Sequence, residues 1–169
     1  MKDLSASEAI GYLDYCPETG VFIWKKRQAT GRGWNTRYAG HIAGSVPRDG
    51  YRYIVINESR YLAHRLAWLI IHGRWPLSEI DHINRIRSDN RICNLREATH
   101  AENLRNAPKR LKGLPKGAYW SKKDRSWYSS IWQNGKKKRI GTFATPELAG
   151  EAFMNEARKI YGEFASSGE

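Results

Sequence analysis

Several features that define common protein classes are scarce or missing in this chain of 169 residues. Its two cysteines, Cys16 and Cys93, are too few for a disulfide framework and too far apart for a CxxC zinc pair. The longest apolar stretch, 62–71, contains His64 and Arg65, whereas a membrane-spanning helix needs about 20 apolar residues. These absences predict a protein of a reducing compartment that does not enter a membrane.

The first eight residues lack the apolar core of a secretion signal and include two acids, Asp3 and Glu8. We therefore expect the chain to stay in the cytoplasm in which it is made. Hydrophobic residues make up 40% of the sequence and the mean hydropathy is −0.70, values that suit one or two small, water-soluble domains.

Acidic residues are also scarce, because 17 Asp and Glu face 29 Lys and Arg, which gives a net charge of +12. Most of the excess lies in residues 108–139, where eleven basic residues accompany a single acid, Asp124. Aromatic residues interleaved with cations are typical of surfaces that bind a polyanion with stackable bases. A solvated basic face is the alternative interpretation. The interleaved aromatic residues are Tyr119, Trp120, Trp127, Tyr128 and Trp132.

Apolar periodicity and turn residues predict short strands and helices in the N-terminal half. We expect a helix over 4–13, a strand over 21–24, a hairpin over 51–62 and a helix over 62–71 that ends at Gly73. The basic loop 25–37 is interpreted either as a solvated arm or as a clamp for phosphate.

The C-terminal residues predict a three-stranded sheet and one packed helix. The expected strands are 117–120, 127–133 and 137–142, with the last two joined at Asn134-Gly135, and the helix is 147–161. Gly113 and Pro115 mark residues 108–116 as a linker. The predicted fold class is therefore α+β.

The segment 80–106 is unusually polar for a compact domain and gathers residues that can carry chemistry. A capping-box pattern that starts at Thr99 predicts a helix carrying Asn103. Asp81 offers a hard oxygen ligand suited to Mg²⁺, and Asn103 can add an amide oxygen. His82, beside the carboxylate, is a candidate general base.

The run DHINRIRSDNRICNLREATHAENLRN closely resembles the HNH (His-Asn-His) nuclease motif of phage homing-type endonucleases, in the variant with Asp-His and Asn at its first and last positions. The segments ETGVFIW and YLAHRLAW resemble those that precede this motif in the same group, so the resemblance covers about residues 18–107. It implies a ββα-metal fold at about 78–107, after an N-terminal β-rich extension.

The same resemblance implies a role for each matching residue. Asp81 and Asn103 would hold one divalent ion, His82 would activate the attacking water, and Asn94 would brace the loop between the two strands. Asn103 stands where the motif often has histidine, which favours Mg²⁺ or Mn²⁺ over tightly bound zinc. The implied product of one site is a nick with 5′-phosphate and 3′-hydroxyl ends. A monomer would nick, and a double-strand break would need a dimer or two events.

The run GAYWSKKDRSWYSSIWQNGKKKRIGTFATPELAGEAFMNEARKIYGEFA resembles the Apetala2-type DNA-binding domain, first known from plant transcription factors. The resemblance implies a sheet that lies in the major groove of double-stranded DNA. Strand alternation places one set of side chains toward the groove, with Trp127 and Ile131 toward the helix. The candidate DNA-binding residues are Tyr119, Lys123, Arg125, Trp132, Lys137 and Arg139.

Together these patterns predict a metal-dependent, site-selective DNA endonuclease. Residues 1–107 would form the N-terminal extension and nuclease domain, and residues 117–169 the DNA-binding domain. If the gene belongs to a phage, the protein would act in the cytoplasm of the bacterial host. The alternatives are a non-catalytic DNA-binding regulator with a degenerate HNH scaffold and a protein that binds structured RNA. We assign structural roles to His64 and His72.

Overall fold

The computed structural model describes residues 4–28, 33–107 and 113–168 and divides the chain into two compact units, Met1–Thr99 and His100–Glu169. Of the predicted linker, 108–116, residues 108–112 lie outside the described residues. Within the described ranges, no helix has both the length and the apolar character needed to cross a membrane.

Among its described residues, the first unit contains three antiparallel strand pairs, one helix before the first pair and one helix before each of the other two. Its first helix begins after Ser5, whose hydroxyl accepts a hydrogen bond from the Glu8 backbone N–H in a capping box. The helices are α1 (Ala6–Tyr12), α2 (Trp34–Tyr38) and α3 (Ala63–His72). The paired strands are β1 (Leu13–Cys16) with β2 (Val21–Trp24), β3 (Tyr53–Ile56) with β4 (Ser59–Leu62), and β5 (Glu79–His82) with β6 (Leu95–Ala98).

Most of these elements match the sequence predictions. The α3 helix ends at Gly73, which adopts φ of +70°, a left-handed conformation that glycine reaches without steric cost. The strand β1 was not predicted, because four residues between a helix and a turn are too short to show a period. The core joins these elements through fully buried side chains such as Phe22, Ile54 and Leu66.

The described part of the basic loop 25–37 is partly anchored in the fold. The guanidinium of Arg27 lies over three aromatic rings, 4.0 Å from the centroid of Trp34, 4.8 Å from Tyr12 and 5.0 Å from Trp24. The Asn35 side chain fixes the backbone of the same arginine by accepting from its N–H and donating to its carbonyl. Arg27 is therefore held by its own fold. Residues 29–32 of the loop lie outside the described residues.

The second unit contains the predicted three-stranded sheet and its helix. The Asn134-Gly135 turn has positive φ at both residues, as a two-residue hairpin requires. Ala118, Ile131, Ala149 and Ala157 are buried between the sheet and the helix. The elements are α4 (His100–Asn106), β7 (Ala118–Ser121), β8 (Ser126–Gln133), β9 (Lys136–Phe143) and α5 (Pro146–Tyr161), with strand order β7-β8-β9.

Candidate active site and nucleic-acid interface

The β5–β6 hairpin places a carboxylate directly opposite a guanidinium. Asp81 and Arg96 are cross-strand partners, and Arg96 donates from Nε at 2.9 Å and from Nη2 at 2.7 Å to Oδ2 of Asp81. Both side chains are nearly buried, with 4% of Asp81 and 11% of Arg96 exposed. Because a buried charge is tolerated only with compensation, this pair holds the Asp81 carboxylate in a defined orientation.

Asn94 links the two ends of the loop between β5 and β6. Its Oδ1 accepts from the Asn84 backbone N–H at 2.9 Å, and its Nδ2 donates to the Asp89 carbonyl at 2.9 Å. Its backbone carbonyl also accepts from the Ile83 N–H at 2.9 Å. The side chain is 5% exposed and acts here as a brace within the loop. Its assignment to the catalytic machinery stays a prediction.

A second carboxylate, Asp89, stiffens the same loop. Arg91 donates to it from Nε at 2.9 Å and from Nη2 at 2.6 Å, and Asn84 donates from Nδ2 at 2.6 Å. The hydrogen bonds from Arg91 are the main cause that lowers the pKa of Asp89 to about 2. Asp89 is therefore ionised at neutral pH, and its oxygens are engaged in the loop itself.

The β1–β2 hairpin supports this loop from outside the polar segment. Tyr15 donates its hydroxyl to the Asn90 carbonyl at 2.7 Å, and the Ile92 N–H donates to the Pro17 carbonyl at 3.1 Å. Gly20 adopts φ of +70°, and a Cβ there would lie 2.5 Å from the Arg91 nitrogen and 2.6 Å from the Asn90 carbonyl carbon. The glycine of the ETG turn is thus required by a close backbone approach.

His82 ends strand β5 and is buried, with 5% of its surface exposed. Burial lowers the pKa of His82, because desolvation disfavours the imidazolium, and the nearby polar side chain of Asn90 opposes this shift. The carboxylates of Asp81 and Asp89 also raise its pKa, whereas Arg87 lowers it. The net direction keeps the imidazole neutral near pH 7, the form that can accept a proton.

Two side chains from other segments contact the His82 imidazole, and Arg87, in the loop after His82, lies over one of them. The ring of His64, on α3, meets it edge to face with centroids 5.0 Å apart, and the Tyr51 ring lies 6.0 Å away. The Arg87 guanidinium lies 4.9 Å from the centroid of the Tyr51 ring. None of these three residues was predicted from the sequence to have a functional role. His64 lies in the YLAHRLAW segment, and the resemblance of that segment to those that precede the HNH motif was the sequence signal that pointed toward it.

The predicted metal ligands belong to different units. Asp81 lies on β5 in the first unit, and Asn103 lies on α4 in the second. Over the residues that the structure describes, no group of three or more His, Cys, Asp or Glu could hold a metal ion. One carboxylate and one amide are a hard-oxygen donor set, which suits Mg²⁺ that keeps several waters. The assignment of Asp81 and Asn103 as ligands stays a prediction.

In the second unit, strand register brings four of the predicted DNA-binding residues to one face of the sheet. Tyr119 pairs with Tyr128, Lys137 with Trp132, and Arg139 with Ser130, so strand alternation places these side chains on one face of the sheet. The Lys137 Nζ lies 5.1 Å from the Tyr119 ring centroid, and the Arg139 guanidinium lies 4.9 Å from that of Tyr128. We call the accessible part of this surface the cationic face: Tyr119, Tyr128, Trp132, Lys137 and Arg139.

The other two candidates, Lys123 and Arg125, lie in the exposed turn between β7 and β8. Tyr128 was not among the predicted binding residues, although its spacing of two from Ser130 and four from Trp132 puts it on the same face. The opposite side of the sheet carries Lys138, whose Nζ lies 3.3 Å from the Glu156 carboxylate on α5.

Residues 61–105 match a protein-family model described as HNH endonuclease. The matched segment contains α3, the β5–β6 hairpin and most of α4, and therefore Asp81, His82, Asn94 and Asn103. No curated protein and no solved structure matches the chain. The family match supports a nuclease that acts on DNA.

Proposed function

We propose that this protein is a metal-dependent DNA endonuclease in which His82 is the general base. The observation that carries the proposal is a buried histidine with a lowered pKa, adjacent to the buried carboxylate of Asp81, within the segment that matches the HNH endonuclease family. A neutral imidazole in a pocket of fixed polar groups suits proton abstraction from water.

In the proposed reaction, water attacks the phosphorus of a phosphodiester while His82 takes its proton. The bond between phosphorus and the 3′ oxygen breaks and this oxygen takes a proton from solvent, so the product ends are a 5′-phosphate and a 3′-hydroxyl. A divalent ion, Mg²⁺ or Mn²⁺, held by Asp81 and Asn103, would neutralise the charge that develops on the phosphate oxygens. Asn94 would keep the loop after His82 in place, and Arg96 would keep Asp81 oriented.

The second unit would hold the DNA substrate. The cationic face combines two cations with the exposed Trp132, whose surface is 61% accessible, and it faces away from the helix that covers the other side of the sheet. Cations attract the phosphate backbone, and a major groove admits two paired strands of such a sheet. Its resemblance to the Apetala2-type domain supports the same assignment. Lys123 and Arg125 would add contacts to phosphate from the neighbouring turn.

The resemblance to phage homing-type endonucleases supports two finer points. One site cuts one strand, so the expected product of a monomer is a nick. Cleavage is expected to be site-selective, because the cationic face would bring the nuclease to preferred sequences.

Incubation of the protein with supercoiled plasmid and phage DNA tests this proposal. Parallel reactions contain Mg²⁺, Mn²⁺ or EDTA, and relaxed and linear products are followed over time. We expect metal-dependent relaxation, and DNA ligase should reseal the nicks because the ends are 5′-phosphate and 3′-hydroxyl. Tight, salt-sensitive DNA binding without cleavage in either metal would contradict the proposal and favour a non-catalytic regulator.

A further inference from the structure

We propose that His64 is a positioning residue that holds the imidazole of His82 in the orientation needed for proton abstraction. This inference rests on the proposed function, because it assigns a partner to the general base. It concerns a residue on α3, outside the polar segment that carries the HNH-like run, and it replaces the structural role that the sequence suggested.

The contact between the two imidazoles defines the geometry. Their centroids are 5.0 Å apart and their planes are inclined by 85°, so the edge of one ring meets the face of the other. Such a contact restricts rotation of the His82 ring about its side-chain bonds. Only 5% of each histidine is exposed, so water has little access to the space between them.

Tyr51 closes the cluster on another side. Its ring centroid lies 5.4 Å from that of His64 and 6.0 Å from that of His82, so one tyrosine contacts both imidazoles. The Arg87 guanidinium lies over the Tyr51 ring and donates from Nη1 to the Asp49 carbonyl at 2.9 Å. These contacts join the residues that precede β3 to the loop after His82. The His82 imidazole is therefore in contact with side chains from two other segments, α3 and the residues before β3.

The chemistry of His64 is unusual for a residue that only fills space. Its Nδ1 is buried without a hydrogen-bond partner among the described residues. A buried polar atom of this kind destabilises the folded state, and a phenylalanine would fill a similar volume without that atom. Burial, followed by the nearby His82 and Arg65, lowers the pKa of His64 to about 3, so it places a neutral polar ring beside the general base.

A neutral imidazole suits a positioning role better than a charged residue would. It adds no positive charge that would oppose protonation of His82 when the water is deprotonated. Its lone pair and ring dipole favour particular orientations of the neighbouring imidazole, which a hydrocarbon ring does not. The expected consequence is a slower chemical step when the imidazole is replaced, while the affinity for DNA is unchanged.

The variant His64→Phe separates packing from polarity. We expect the kcat of nicking to fall by about 10-fold to 100-fold, as a misoriented catalytic group would cause, with KM and DNA affinity within twofold of wild type. The melting temperature should equal or exceed that of wild type, because the unpartnered nitrogen is gone. A residue with a purely structural role would not give lower kcat together with equal or higher stability.

Two further variants provide the controls. His72→Phe changes the other histidine of α3, whose ring stacks on Trp68 at 4.0 Å between centroids, and it should leave kcat unchanged. His64→Asn keeps a polar atom near the position of Nδ1, and we expect it to retain more of the kcat than His64→Phe. If His64→Phe fails to fold, the comparison of His64→Asn with His64→Ala decides: more activity in the asparagine variant supports the proposal, and equal activity overturns it.

Nuclear magnetic resonance of ¹⁵N-labelled histidine supplies a readout that does not depend on cleavage. In the wild-type protein His82 should populate one tautomer with sharp ring signals, whereas in His64→Phe these signals should shift and broaden. Wild-type kcat and unchanged His82 signals in a folded His64→Phe variant would overturn the proposal. If the wild-type protein does not nick DNA, the proposed function fails, and the His82 signals alone then decide whether His64 orients that ring.

Discussion

The pocket around His82 and the cationic face of the second unit both use charged and aromatic side chains, but in opposite ways. In the pocket, Asp81 and His82 are both buried, and each side chain has defined neighbours. On the cationic face, Trp132 is 61% exposed, and Lys137 and Arg139 lie over tyrosine rings at the surface. Burial fixes the orientation and protonation state of a group, whereas exposure lets it attract a large polyanion.

The two regions should also respond differently to salt. Exposed cations act through fields that are screened within about 8 Å at physiological ionic strength, so binding through the cationic face should weaken as salt rises. Buried pairs such as Asp81 with Arg96 are screened much less. Changes in the pocket should therefore appear in the rate of the chemical step, and changes on the face in affinity and its salt dependence.

The largest expected effect is loss of cleavage in His82→Ala. Removal of a general base lowers a rate by about 10²-fold to 10⁴-fold, and the cationic face is untouched, so DNA affinity should be retained. The measurement is the rate of plasmid nicking together with a gel-shift titration. His72→Ala is the matched control, and normal nicking by His82→Ala would exclude this residue as the base.

The next effect concerns the support of the pocket. Gly20→Ala would bring a Cβ against the backbone of residues 90 and 91 at a positive φ, and we expect the free energy of unfolding to fall by about 3 kcal/mol. The nicking rate should fall as well, because the same loop carries Asn94. Urea unfolding measures the first effect.

Gly73→Ala is the control for backbone strain alone. Gly73 has the same φ of +70°, but a Cβ there would meet nothing within 4 Å. We expect this variant to lose about 1 kcal/mol. Equal losses in the two variants would mean that the contact of the ETG turn with the loop contributes nothing.

A third prediction concerns pH and the buried histidine of α3. The pKa of His64 is lowered from 6.5 to about 3 in the folded protein, so between these values the unfolded chain binds a proton that the folded chain does not. This difference leaves the stability unaffected above pH 6.5 and destabilises the folded state increasingly as pH falls toward 3. His64→Phe has no titrating group at this position. Between pH 7 and 4, the free energy of unfolding of the wild type should therefore fall more steeply than that of the variant. Parallel curves from urea unfolding would contradict this.

The smallest expected effect separates two neighbouring lysines. Lys137→Gln removes a cation from the cationic face and should lower the salt slope of DNA binding by about one unit, with little change in the nicking rate at saturating DNA. Lys138→Gln changes the opposite side, where the lysine pairs with Glu156, and should lower the slope less. Equal salt slopes of DNA binding for the two variants would mean that the cationic face does not contact phosphate.

The second unit and the pocket around His82 also differ in how much of each could be predicted from the sequence. The strands and turn of the second unit follow from local signals, namely alternation and Asn134-Gly135, and the α3 helix ends at Gly73 as expected. The polar residues of the pocket are close in sequence and could be found together. The residues that support the pocket could not be assigned that role from the sequence. The resemblance marks the segments of Gly20 and His64, but the long-range contacts by which Gly20, Tyr51 and His64 reach the pocket are visible only in the fold.

The identity of a residue also says little about its burial. Arg96 was one cation among many in the sequence, and only the cross-strand register shows that it faces Asp81. Arg27 belonged to a basic loop with two open interpretations, and its guanidinium is enclosed by three aromatic rings of its own fold. Pairing and packing decide which cations are available to DNA, and both are properties of the folded chain.

The most direct measurement records binding and cleavage on the same samples for His82→Ala and Lys137→Gln. Each variant is titrated into plasmid DNA with Mg²⁺, and the bound fraction and the nicked fraction are measured in parallel with the wild type. We predict that His82→Ala binds like the wild type without nicking. Lys137→Gln should bind more weakly and nick at the wild-type rate once the DNA is saturated. Proportional loss of binding and nicking in both variants would contradict the division of the molecule into a nuclease pocket and a DNA-binding face.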